Sequence, residues 1–208
     1  MPLNLKTKAQ WCTEVVGMSF AEMQEDQKLI NALSKALKAA HCDEQLSYLT
    51  DKKRDPSHLY ETYVKSTNLP KFVNISASMM KACADAANNP KKLSAEMAKV
   101  TAEVELLLKT NLRPNFVKST SCETWCNLKN EELARAECEK RGKKLAKILG
   151  IDARMITNAL TAIAVAKFNG DRLEVAKLMK EIQDEGDKAK AKALVEAFEK
   201  QLQELGIS

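Results

Sequence analysis

The sequence predicts an all-α fold, a single helical bundle over residues 1–208 that its six cysteines are placed to cross-link. Three observations predict it. Apolar residues recur at helical spacing along most of the 208 residues, and no strand-like alternation survives inspection. The composition is rich in Ala, Leu, Lys and Glu, the good helix formers. Glycine and proline are scarce, 6 and 5, and most stand where helices start or stop. The pattern amounts to about seven to nine helices.

Ser19 and Glu22 have capping-box spacing, and the stripe Met23, Ile30, Leu33, Leu37, Ala40 predicts one long helix ending near His41 and Cys42. Residues 43–68 read as short irregular pieces. Within them Asp55-Pro56 opens a helix with Leu59, Tyr60 and Tyr63 facing inward. Residues 76–87 carry Met79, Met80 and Cys83. Asn89-Pro90 starts a helix with the seam Met97, Val100, Val104, Leu107, Leu108, closed by Arg113-Pro114-Asn115.

Thr120 and Glu123 suggest a further capping box. The helix beyond carries Leu133, Cys138, Leu145, Ile148 and Leu149, with a break expected at 127–130, a weak point at Gly142 and a stop at Gly150. Residues 151–208 read as a three-helix sub-bundle. Asp152 opens its first helix, with Ile156, Leu160, Ile163 and Val165. Asp171 and Glu174 open the second, with Val175, Leu178, Met179 and Ile182. Gly186-Asp187 leads into Leu194, Phe198, Leu202 and Leu205.

Both tryptophans immediately precede a cysteine, in Trp11-Cys12 and Trp125-Cys126. Cys12, Cys42, Cys83, Cys122, Cys126 and Cys138 form an even set, all of them disulfide candidates, and six cysteines allow fifteen pairings. Cys122 and Cys126 are one turn apart, with β-carbons about 6 Å from each other, beyond the roughly 3.5–4.5 Å of a disulfide. Each therefore needs another partner. Cys83 and Cys138 lie on apolar faces and also suit buried thiols. An insect odorant-binding pattern is absent: its three-residue gap separates the second and third cysteines, and here it separates the fourth and fifth.

Chemistry-bearing constellations are few. His41-Cys42 with Cys122 and Cys126 could compose a zinc set, but the short two-residue ligand spacing is missing. No signature of a nucleophile surrounds any cysteine, with His41 or His58 as base. Phosphate-cradling glycine loops, paired-histidine metal helices and serine elbows are absent as well. The reading is therefore of a non-enzyme, with no catalytic residue, no metal and no cofactor.

Net charge is +5, with acidic and basic residues interleaved. The cluster Lys140, Arg141, Lys143, Lys144, Lys147 reads as the solvated end of a helix, where lysines complement the dipole. With aromatics at 5%, it does not suggest nucleic acid. The most apolar run, residues 159–168, is too short to span a membrane. Met18, Met23, Met79, Met80, Met97, Met155 and Met179 lie on or near apolar faces. They suit core filling, or a cavity for an apolar small molecule. Asn74-Ile75-Ser76 is a glycosylation triplet.

The functional expectation is an extracellular, disulfide-braced domain that binds a protein or other macromolecule through its surface. Tyr48, Lys52, Lys53, Arg54, Arg113, Lys140, Lys144 and Lys147 are the surface candidates. An intracellular scaffold with reduced thiols is the first alternative, since residues 1–8 hold no apolar signal core. A carrier of an apolar ligand is the second.

Overall fold

The structure is a computed structural model and describes residues 4–150, 152–184 and 188–207. Among the described residues it is all-helical, with eleven α-helices and no strand. In chain order they are α1 (Lys8–Gly17), α2 (Phe20–Gln24), α3 (Gln27–Ala39), α4 (Glu44–Leu49), α5 (Pro56–Leu59), α6 (Ala77–Ala86), α7 (Pro90–Asn111), α8 (Thr120–Leu149), α9 (Ala153–Phe168), α10 (Arg172–Asp184) and α11 (Lys188–Glu204). Single π-helical turns follow α5 at Tyr60–Val64 and α7 at Leu112–Phe116.

The helices outnumber those expected: α1 is not among the predicted helices, α2 and α3 share one apolar stripe, and α4 lies in the segment predicted to be irregular. Ser19 and Glu22 do form a capping box, but α2 ends within two turns. The side chain of Asp26 then accepts from the N–H groups of Lys28 and Leu29 and starts α3. Ala40 caps α3 and is exposed. His41 follows with φ 54°, the left-handed value that ends a helix. The 43–68 segment holds α4, α5 and a π turn rather than irregular chain. Arg113-Pro114-Asn115 lies inside the second π turn, not past the helix end.

The cap of α8 is Ser119, one residue before the expected Thr120: its Oγ accepts the Cys122 N–H at 3.1 Å. The helix then runs unbroken for 30 residues. Asn127 and Asn130 do not interrupt it because their side chains are spent on other segments. Asn127 Oδ1 accepts from Asn169 Nδ2 at 3.0 Å, and Asn130 binds residues 6 and 11. Gly150 and Gly170 take positive φ beyond their helices, as expected at these C-termini. The Gly186-Asp187 joint and the Ile182 and Leu149 side chains lie outside the described residues.

Contacts divide the chain into two compact units, residues 12–125 and residues 1–11 with 126–208. Both divisions fall inside continuous helices, α1 and α8, between the tryptophan and the cysteine of a Trp-Cys pair.

In the 12–125 unit, α7 packs against α4, α5 and α6. It contributes the buried seam Leu93, Met97, Val100, Val104, Leu108 to a unit in which Tyr48, Leu49, Leu59 and Cys83 are also buried, with Cys83 against Met97. Leu107, expected in that seam, is only half-buried.

The core of the other unit joins Leu5, Ala134, Cys138, Leu145, Ile156, Leu160, Ile163, Leu194, Phe198 and Leu202. Arg141 ties α8 to α11, donating to Gln201 Oε1 at 2.9 Å and Glu204 Oε2 at 2.8 Å. Leu133, Ile148 and Met155, expected on apolar faces, are exposed. Leu173 at the start of α10 is exposed too.

Gly142 is the close-approach point of α8 and α9, not a weak spot. A Cβ there would lie 2.4 Å from Thr157 Oγ1 and 3.2 Å from the Thr157 backbone. Alanine at an unconstrained helix interior gains roughly 1 kcal/mol over glycine. Here overpacking reverses the sign, and Gly142→Ala is expected to cost about 1–3 kcal/mol in urea denaturation. A stabilised variant would contradict the close approach.

Candidate functional site

Three groups of side chains stand out: the surroundings of the two Trp-Cys pairs, a hydrogen-bonded cluster in the 43–68 segment, and a charged groove between α8 and α9.

Trp11 Nε1 donates to Asn130 Oδ1 at 3.1 Å. The same oxygen accepts the Lys6 N–H at 3.1 Å, and Asn130 Nδ2 donates to the Lys6 carbonyl at 2.9 Å. Lys6 Nζ stands 4.4 Å from the centre of the Trp11 ring, a cation–π distance. Trp125 is 1% exposed. Its ring lies 6.5 Å from that of Phe116, and its N–H donates to Asp26 Oδ2 at 3.2 Å.

No two cysteine sulfurs are at disulfide bonding distance. Cys12 and Cys122 approach to 3.6 Å. The Cys83 thiol faces the Met97 thioether at 3.9 Å, and Cys42 Sγ accepts from Asn115 Nδ2 at 3.4 Å. Burial pushes the Cys42, Cys83 and Cys138 thiols up from their ordinary value. Among the described residues no three His, Cys, Asp or Glu side chains gather as a metal-ligating group, so the His41, Cys42, Cys122, Cys126 set is not assembled.

In the 43–68 segment the expected surface aromatic is core. Tyr48 is 1% exposed, packs edge-on against Tyr63 with centroids 5.4 Å apart, and shares a 2.9 Å hydrogen bond with Thr101. The polar composition around it hid a short amphipathic helix, α4, whose Leu46, Tyr48 and Leu49 face inward. Lys52, Lys53 and Arg54 are exposed as expected, and the Arg54 guanidinium donates to the Leu49 carbonyl. The Arg113 side chain lies outside the described residues.

Sequence reasoning missed the centre of this segment, Asp51. Its Oδ2 accepts from the Tyr63 hydroxyl at 2.9 Å and lies 3.2 Å from His58 Nε2, while Oδ1 accepts the Lys53 N–H at 2.9 Å. Burial raises the Asp51 carboxyl, but the bonds from Lys53, Tyr63 and His58 outweigh it and hold the group below its ordinary value. Burial, then the hydrogen bond and charge of Asp51, push the Tyr63 phenol up to about 12.

A depressed carboxyl stabilises the fold fully above its unfolded value of about 3.9, and that share is lost as pH falls through the folded value. Asp51→Asn is therefore expected to be less stable than wild type at pH 7. The gap in denaturation midpoint should narrow below about pH 4. A gap that stays constant down to about pH 2 would contradict the carboxylate's role.

Lys140, Lys144 and Lys147 are exposed on α8. Lys140 pairs with Glu137 at 3.6 Å, which fits a solvated helix end. The larger grouping of charge on this helix is one turn away. Arg135, Glu139 and Lys143 recur every four residues of α8 and line one wall of a groove of about 340 Å³. Ala153, Arg154, Thr157 and Asn158 of α9 line the other. Lys143 pairs with Glu139 at 2.7 Å. The hydrogen bond and charge of Lys143 lower the Glu139 carboxyl, which Arg135 also favours.

A second groove of about 190 Å³ has Asn127, Glu131, Asp171 and Glu174 on its walls. Neither groove is lined by a methionine. Among the described residues no helix is long and apolar enough to cross a membrane. Comparison with protein-family models, curated proteins and solved structures finds no match to this chain.

Proposed function

We propose that the protein is a non-catalytic binding protein, an extracellular, disulfide-braced helical domain that engages a macromolecular partner through its surface. The groove between α8 and α9 carries the reading. Three cations, Arg135, Lys143 and Arg154, surround the single carboxylate Glu139. With Lys143 and Glu139 neutralising each other, the two guanidinium groups leave the groove positive. Guanidinium forks match carboxylate or phosphate oxygens in pairs, so the groove suits an acidic partner surface. Ile148 near the end of α8 and Met155 near the start of α9 are 76% and 45% exposed. They offer the apolar area that interface centres use. The approach of Cys12 to Cys122 supports an oxidising compartment.

The test is capture from extracellular fluid at about 0.15 M salt, comparing wild type with the double variant Arg135→Glu, Arg154→Glu. The variant is expected to lose the partner that wild type retains. Lys91→Glu with Lys92→Glu, exposed charges on α7, should retain it. Equal capture by wild type and the groove variant overturns the assignment.

A further inference from the structure

We infer that Cys12 and Cys122 form a disulfide that clasps the two ends of the 12–125 unit. The two residues are 110 apart in sequence, yet their sulfurs lie 3.6 Å from each other. They stand at opposite ends of a unit that begins at Cys12 and ends at Trp125. Both residues stand on helices and are buried. Cys12 lies on α1 one turn before fully buried Val15. Cys122 lies in the first turn of α8, its N–H bonded to Ser119 Oγ, one turn before Trp125, which Asp26 and Phe116 hold in place. Cys12 is 8% exposed and Cys122 is fully buried, so the pair sits in dry surroundings. Closing from 3.6 Å to the roughly 2.05 Å of a disulfide is a side-chain adjustment.

Within the unit, the other two cysteines face different groups. Cys83 is directed at Met97 and Cys42 at Asn115. The geometry thus singles out one bridge, and fixing it reduces the fifteen connectivities of six cysteines to the three open to the remaining four.

The chemistry needs an oxidant, and a small-molecule disulfide such as oxidised glutathione balances it. The Cys12 thiolate, the more accessible, attacks one sulfur of the oxidised glutathione, forming a mixed disulfide and expelling one glutathione thiolate. Cys122 then attacks the Cys12 sulfur and expels the second. Two protein thiols lose two protons and two electrons, and one disulfide becomes two glutathione thiols. Negative charge developing on Cys122 lies at the N-terminal turn of α8, where the helix dipole favours it.

The clasp rests on the disulfide-braced reading proposed above but not on the α8–α9 groove, so loss of the bridge and loss of partner capture by the groove variant are distinguishable. The full chain, reduced and unfolded, is refolded with reduced and oxidised glutathione, digested in acid without reduction and mapped by mass spectrometry. The expected product is a peptide linked through Cys12 and Cys122. The oxidised protein should melt roughly 10 °C above the reduced one, as closing so long a loop implies. Cys12→Ser and Cys122→Ser should each abolish the oxidised–reduced difference, and Cys83→Ser should keep it. A bridge between other cysteines, glutathione adducts without a bridge, or equal melting of the two wild-type forms overturns the inference, and none of these readouts needs a variant to fold.

Discussion

Trp125→Ala is expected to lower the unfolding free energy by about 3–5 kcal/mol, the range for deleting a buried aromatic side chain. Two effects combine. The indole fills core space against Phe116, and its N–H satisfies Asp26 Oδ2, the carboxylate whose other oxygen starts α3. Trp125→Phe separates them. It keeps most of the ring volume and removes only the donor, at an expected cost of about 1.5–3 kcal/mol for a hydrogen bond to a charged acceptor. Guanidinium denaturation of the three proteins reads both values. A Trp125→Phe protein as stable as wild type would mean that the indole N–H contributes nothing to holding Asp26.

Asn130→Leu is expected to cost roughly 2–4 kcal/mol, although leucine is nearly isosteric with asparagine. The Asn130 amide is the partner of three groups, the Trp11 indole N–H and the N–H and carbonyl of Lys6. A buried group left without a partner costs about 1–3 kcal/mol, and the Lys6 groups recover part of that from water. The 4–11 segment should loosen with them, drawing Leu5 out of the core it shares with α8, α9 and α11. Trypsin cleavage after Lys6 and Lys8 reports this directly. Cleavage in the variant should be faster, and unchanged cleavage would show that Leu5 alone holds the segment.

These two residues also show where sequence reading succeeds and stops. The α-helical class, the Ser19–Glu22 box, the Asn89 and Asp152 caps and the glycine stops are local patterns, and all are present. Asn130 had the local signature of a helix break, since asparagine competes for its own backbone. Its side chain instead binds Lys6, 124 residues away, and no window of sequence contains that partner. Asp26 likewise divided a stripe that periodicity alone joined. Gly142 looked like a weak helix position because the Thr157 backbone that needs the space lies on another helix.

The candidate site was legible only in outline. The basic character of α8 was visible, but the reading fixed on Lys140, Lys144 and Lys147, consecutive on the exposed face. Arg135 and Lys143 join Arg154 only when α9 folds back beside α8. The spacing of four along Arg135, Glu139 and Lys143 was a usable signal. Arg154 carried none. Tyr48 was misplaced for the opposite reason, its polar neighbours outweighing the Leu46 and Leu49 that fold inward with it.

The intact mass of the natively produced protein after thiol alkylation, denatured but never reduced, tests most directly whether it is an extracellular, braced domain. Four labels are expected on the six cysteines, with Cys12 and Cys122 the two protected. Six labels would contradict the braced domain, leaving the clasp unformed and the partner to be sought in a reducing compartment.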